Sequence, residues 1–138
     1  MKPEKKASEL MGESVLAGVT LEAKQSVAAV AGGGVVGAAV AGLSRKPASV
    51  PGDHKGIHYV AVGPNQIGFF SMKRGLFKAS LDRLLDQRSR EDIEAVEIKG
   101  GMMPEVHFVF RDGTDYVLMC PRIGLRKLKK IRELLTTV

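Results

Sequence analysis

Three sets of residues have types and spacings that could do chemistry. Gly32, Gly34 and Gly37 spell G-x-G-x-x-G inside Ala28–Gly42, where every residue is Ala, Gly or Val. Glycines at that spacing let a backbone turn tightly against a pyrophosphate, as flavin and nicotinamide enzymes require. His54, His58, His107 and Cys120 are the soft metal ligands, and their spacings match no zinc pattern. Arg45, Lys46 and Lys55 form one basic group, and Lys73, Arg74 and Lys78 another. Those six are the candidates for contact with an anionic surface. No Ser, Cys or Thr stands in a nucleophile context, so no catalytic residue is proposed.

The surroundings of the glycines oppose a nucleotide site. Such a site needs a second strand ending in an acid that binds ribose. Pro47 and Pro51 fall where that strand would run, and Asp53 lies in a loop-like context. From residue 57 onward the chain reads as β-hairpins, not βαβ units. No cofactor is expected, and the enzyme reading through Gly32, Gly34 and Gly37 ranks last.

The same tract has a membrane reading. Val27–Leu43 carries no charge over 17 residues, the lower edge of the roughly 17–25 needed to span a bilayer. Ala29, Gly33, Gly37 and Ala41 recur every fourth residue. On a helix they would form one small-residue face, along which two backbones approach closely. This gives an alternative function, a small membrane-anchored protein with 27–43 as a glycine zipper, and with it a homo-oligomer. Against it, Ala and Gly are barely apolar, and Lys24 and Arg45-Lys46 flank both ends without fixing an orientation. A flexible or locally packed insert is the third reading of the tract.

The elements that must position these residues emerge from length and punctuation. At 138 residues the chain has room for one domain. With 44% hydrophobic and 26% charged residues it reads as a soluble globular protein. One cysteine excludes an internal disulfide and fits a reducing compartment. MKPEKKASELMGESV has no early apolar run, so the expected location is the cytoplasm, at or near the inner face of the membrane. The formal charge of +6 is uneven. Residues 122–133 hold Arg122, Arg126, Lys127, Lys129, Lys130 and Arg132 against Glu133 alone. Such a segment can attract phosphates, or it is the solvated face of an amphipathic helix.

Residues 1–12 read as a disordered lead with little to bury. Residues 13–138 read as a single domain, with 23–56 as an Ala/Gly-rich insert and linker. Strands are expected at Ser14–Glu22, Ile57–Val62, Gln66–Met72 and Phe77–Asp82. A charged bend at 86–92 separates these from Ile93–Ile98, Glu105–Phe110 and Asp115–Cys120. Asp112-Gly113 is the strongest hairpin signal, a turn that needs φ > 0 at the glycine. Pro121 ends the last strand. From near Arg122, Leu125, Leu128, Ile131, Leu134, Leu135 and Val138 make the apolar stripe of a helix.

Seven strands and one C-terminal amphipathic helix give a mainly β (α+β) fold. In that order they resemble the pleckstrin-homology-like (PH-like) domains of bacteria. The resemblance rests on Asp92-Ile93-Glu94-Ala95-Val96 and Phe110-Arg111-Asp112-Gly113-Thr114, with Tyr59-Val60-Ala61-Val62 and Ile67-Gly68-Phe69-Phe70 ahead of them. It spans Glu13–Glu22 and about 57–138, and the insert 23–56 departs from it. It implies a seven-stranded bent sandwich or split barrel capped by the helix. It also implies a non-enzymatic binding module whose loops meet an anionic membrane or a protein partner. Nucleic acid is disfavoured, because Phe69, Phe108 and Phe110 are committed to the core pattern and leave no stacking platform.

Overall fold

The computed structural model describes residues 3–23, 48–74, 79–100 and 103–136. Its strands are β1 (Ala17–Glu22), β2 (Ile57–Val62), β3 (Gln66–Arg74), β4 (Ala79–Ser89), β5 (Ile93–Lys99), β6 (Glu105–Phe110) and β7 (Asp115–Met119). Helix α1 (Pro3–Met11) precedes them and α2 (Leu125–Thr136) follows. The fold is mainly β with a C-terminal helix, as the order of elements predicts.

The strands form one antiparallel sheet in the order β4-β3-β2-β1-β7-β6-β5. It consists of two meanders, β1 to β4 and β5 to β7. They join at a single register pair, Glu22 opposite Met119. Everywhere else β1 is paired only with β2. Beside that split, Ser49 bridges to Tyr116 in parallel, with its amide on the Asp115 carbonyl at 2.9 Å. Helix α2 closes the opening by packing on β1 and β5.

Alternation decides which face each residue takes. Val19, Leu21, Val60, Val62, Ile67 and Phe69 from one meander meet Val106, Phe108, Phe110, Leu118 and Cys120 from the other in the main core. Leu128 and Ile131 of α2 are fully buried against them, with Leu125, Leu134 and Leu135 at the margin. Arg126, Lys127, Lys129, Lys130 and Glu133 stay exposed, so from Leu125 to Leu135 the stripe read from the sequence is the packed one, and Val138 lies outside the described residues. Phe69 is central, with edge-on contacts to Phe108, Phe110 and Tyr116 at centroid distances of 5.4, 6.0 and 5.1 Å.

The disordered lead expected over residues 1–12 is corrected to a helix at Pro3–Met11. Ala7 and Met11, one turn apart, are both buried in a second cluster with Tyr59, Ala61, Phe70, Met72 and Leu81. The opposite face of the first meander needs a cover, and α1 supplies it. Lys6 Nζ donates to the Leu81 carbonyl at 2.9 Å, and Gln87 Nε2 to the Met11 carbonyl at 3.0 Å. Gly12, at φ 79°, ends the helix.

Two boundaries also differ. The charged bend expected at 86–92 is strand as far as Ser89, and only Arg90–Asp92 turns. Its charges are compatible with a strand because β4 is an edge, where polar side chains are partly solvated. The first strand begins at Ala17, not Ser14. Phe77 and Lys78, expected in the fourth strand, lie outside the described residues. The Asp112-Gly113 hairpin is as expected. Gly113 has φ 94°, and Asp112 Oδ1 accepts the Thr114 amide at 2.8 Å.

Candidate functional site

A continuous register crosses the sheet near one rim. Ile57 lies opposite Glu22, Glu22 opposite Met119, Met119 opposite Glu105, and Glu105 opposite Lys99. His58 opposite Ser71 extends the same rim to β3. Every chain segment beyond that row leaves the sheet on the same side. Those segments are the β1–β2, β3–β4 and β5–β6 connections and the β7–α2 turn.

Of the six basic candidates, Lys55 and Lys73 are exposed on this rim. Arg74 ends β3 on the same side, opposite Ala79. Arg45, Lys46 and Lys78 lie outside the described residues. So do Ala29, Gly33, Gly37 and Ala41, the whole of 27–43, and the Gly32, Gly34 and Gly37 motif. The rim carries more positive charge than those candidates supply, because Lys99, Arg122 and Arg126 are also exposed. Antiparallel parity is the signal for these. Strands that alternate in direction bring alternate connections to one end.

On the second meander the Asp112-Gly113 hairpin brings Glu105, His107 and Asp115 together. His107 is buried with both ring nitrogens on carboxylates. Nδ1 is 2.9 Å from Asp115 Oδ1, and Nε2 is 2.8 Å from Glu105 Oε1. An ionised carboxylate only accepts, so this pairing favours the protonated ring, in which both nitrogens donate. Burial opposes that charge. The Asp115 hydrogen bond and charge, followed by the Glu105 hydrogen bond, overcome it and raise the pKa, while Lys99 works against them. Motif spacing does not single this group out. Its signal is the hairpin register, which puts residues 105, 107 and 115 on one face.

His58 shows the opposite balance. It is fully buried, and Nε2 donates to the His54 carbonyl at 2.6 Å. Its Nδ1 and His54 Nε2 have no hydrogen-bond partner among the described residues. Burial outweighs the bond to His54 and lowers the His58 pKa to about 4. The ring is therefore neutral at pH 7. The two histidine rings meet edge-on at 4.9 Å.

A polar clasp ties β4 to the β6–β7 hairpin. Tyr116 Oη donates to Asp86 Oδ2 at 2.7 Å, and Arg88 Nε to the same oxygen at 2.8 Å. Arg88 Nη1 reaches Asp112 at 2.9 Å, and the guanidinium lies 4.4 Å from the Phe110 ring centre. Burial and then the Asp86 hydrogen bond push the Tyr116 hydroxyl up to about 12. Every charge in the clasp is paired within the fold, which makes it architecture. Arg90 acts similarly. It donates to the Gly63 and Pro64 carbonyls and to the Leu134 carbonyl at the last turn of α2.

Cys120 is buried, its Sγ hydrogen-bonded to the Pro121 carbonyl at 3.3 Å, and burial raises its thiol pKa. Among the described residues no three His, Cys, Asp or Glu side chains are grouped to hold a metal. Among the same residues no helix is long and apolar enough to cross a bilayer. No family model, curated protein or solved structure matches the chain.

Proposed function

We propose that this chain is a non-enzymatic binding module of PH-like type that docks its basic rim on an anionic membrane surface. The observation that carries the reading is the common exposure of Lys55 and Lys73 with Lys99, Arg122 and Arg126 on one rim. Basic side chains on one face add their attraction for anionic headgroups, about 1 kcal/mol each near the surface. The order of seven strands and a capping helix, with the residues quoted for the resemblance, supports the PH-like assignment. The tract that begins beyond Ala23 leaves β1 at this same rim, which makes a role for 27–43 at the membrane part of the same reading.

Flotation with phosphatidylserine–phosphatidylcholine vesicles, against phosphatidylcholine alone, tests it. The full chain should float only with phosphatidylserine, and less so at high salt. Reversing Lys55 and Lys73 to Glu should weaken binding about tenfold or more. Equal flotation with neutral vesicles, or binding unaffected by the reversal, would overturn the reading. Deleting 27–43 separates the two contributions. If flotation then vanishes while the lysine reversal is harmless, the tract is the anchor and the rim is not.

A further inference from the structure

Ile123 is 93% exposed, although Gly124 beside it is buried. It stands on the turn Arg122–Gly124 that joins β7 to α2. That turn is fixed. The Gly124 amide donates to the Pro121 carbonyl at 2.9 Å, and the Leu125 amide to the Arg122 carbonyl. Gly124 is packed against β1, where an added Cβ would lie 3.2 Å from Val19 Cγ2. With both sides of the turn held, the isoleucine has no inward path and stands out from the rim.

A second apolar side chain stands on the same rim. Met103, 42% exposed, lies in the β5–β6 connection. The neighbouring Pro104 carbonyl accepts the Cys120 amide at 2.8 Å, so this connection is tied to the β7–α2 junction. Exposed Arg122 and Arg126 flank Ile123 in the chain. Lys99 ends the register row, and Lys55 and Lys73 lie beyond it, before β2 and near the end of β3. The carboxylates of the row itself are withdrawn: Glu22 and Glu105 are both partly buried, and Glu105 is held by His107, while Asp53, in the same connection as Lys55, is exposed.

We infer that Ile123, with Met103 on the same rim, is an apolar prong that enters the interfacial region of an anionic bilayer while the basic residues of that rim meet the headgroups. This rests on the proposed docking of the rim and deepens it. Charge alone would suit any polyanion. An exposed branched aliphatic on a rigid turn between exposed arginines adds a demand that an interface with an acyl boundary meets and a soluble polyanion does not. A soluble phosphate compound satisfies the lysines and arginines and leaves Ile123 in water.

The chain has no tryptophan, so Ile123→Trp gives a single reporter. On phosphatidylserine–phosphatidylcholine vesicles its emission should shift to the blue and be quenched by brominated acyl chains. On soluble polyphosphate it should do neither. Ile123→Ser should lower vesicle partition roughly five- to tenfold, with Ile123→Leu close to the parent. A residue this exposed makes few native contacts, so the variants should keep the parent's thermal midpoint. Binding that depends on Lys55 and Lys73 but not on Ile123, with unshifted emission, would overturn the prong and leave the rim reading standing. Loss of all vesicle binding in the parent chain would overturn both. A blue shift that grows with protein concentration and needs no lipid would replace the bilayer with a second copy of the chain.

Discussion

Burial takes His58 out of water with one ring nitrogen unpartnered, while His107 goes under with a carboxylate on each side. Their pH dependences have opposite signs. The His58 pKa falls to about 4 from an ordinary value of 6.5. Between those values the unfolded chain holds a proton that the native state refuses. Stability therefore falls as pH drops through that window, by up to about 3 kcal/mol. For His107 the native value is raised. Its contribution is whole below the ordinary value and is lost as pH climbs through the native one. The charged groups around it are Asp115 on β7, Glu105 on β6, and Glu97 and Lys99 on β5. Urea midpoints measured from pH 4 to 9 should show both limbs. His58→Gln should flatten the acid limb, and His107→Gln the alkaline one. An unchanged acid limb in His58→Gln would assign that loss to carboxylates instead.

The residue-level chemistry is legible in the sequence to different degrees. Glu105 and His107 sit two apart on a strand, and the Asp112-Gly113 turn sets which residues of β7 share their face. That much follows from the strand period once the hairpin is accepted. The link between Asp86 and Tyr116 joins residues 30 apart across the split, and no local pattern announces it.

Helix α1 is the element that sequence pattern conceals. PEKKASELM buries only Ala7 and Met11, leaves Leu10 exposed and is otherwise mostly polar. Isolated, so short a helix is marginal in water. It forms because β2, β3 and β4 present an apolar face that this segment covers. Met11→Ala should therefore cost about 2–3 kcal/mol, measured by urea unfolding. No loss would show that α1 is not part of the cooperative fold. Strand β4 is the reverse case. Leu81 announces it, then Asp86 to Asp92 carry so much charge that the sequence reads as a bend where the strand in fact runs on to Ser89. The inner-face alternation of β2, β3, β6 and β7 is legible throughout, because turn residues bracket each run.

At the scale of the molecule, the two meanders share one register pair and depend on what spans them: α2, the Ser49 bridge, and the Arg88–Tyr116–Asp86 clasp. Composition and strand order give the number of layers. The join itself is made by contacts distant in sequence. The rim that gathers Lys55, Lys73, Lys99 and Arg122 follows from strand parity alone. The exposure of Ile123 does not, since a helix-initiating isoleucine would ordinarily be read as buried.

Cys120 lies at the hinge of this arrangement, walled in between the Pro104 carbonyl, Gly124 and the core. A thiol reagent can reach it only when β7 and α2 part. The labelling rate of the native protein therefore measures the opening equilibrium of that junction, without denaturant and without any introduced probe. Labelling should be far slower than for a free cysteine. It should slow further on phosphatidylserine vesicles, because a surface seated on Ile123 also holds the junction shut. A rate indifferent to vesicles would mean that the junction opens while the rim stays docked.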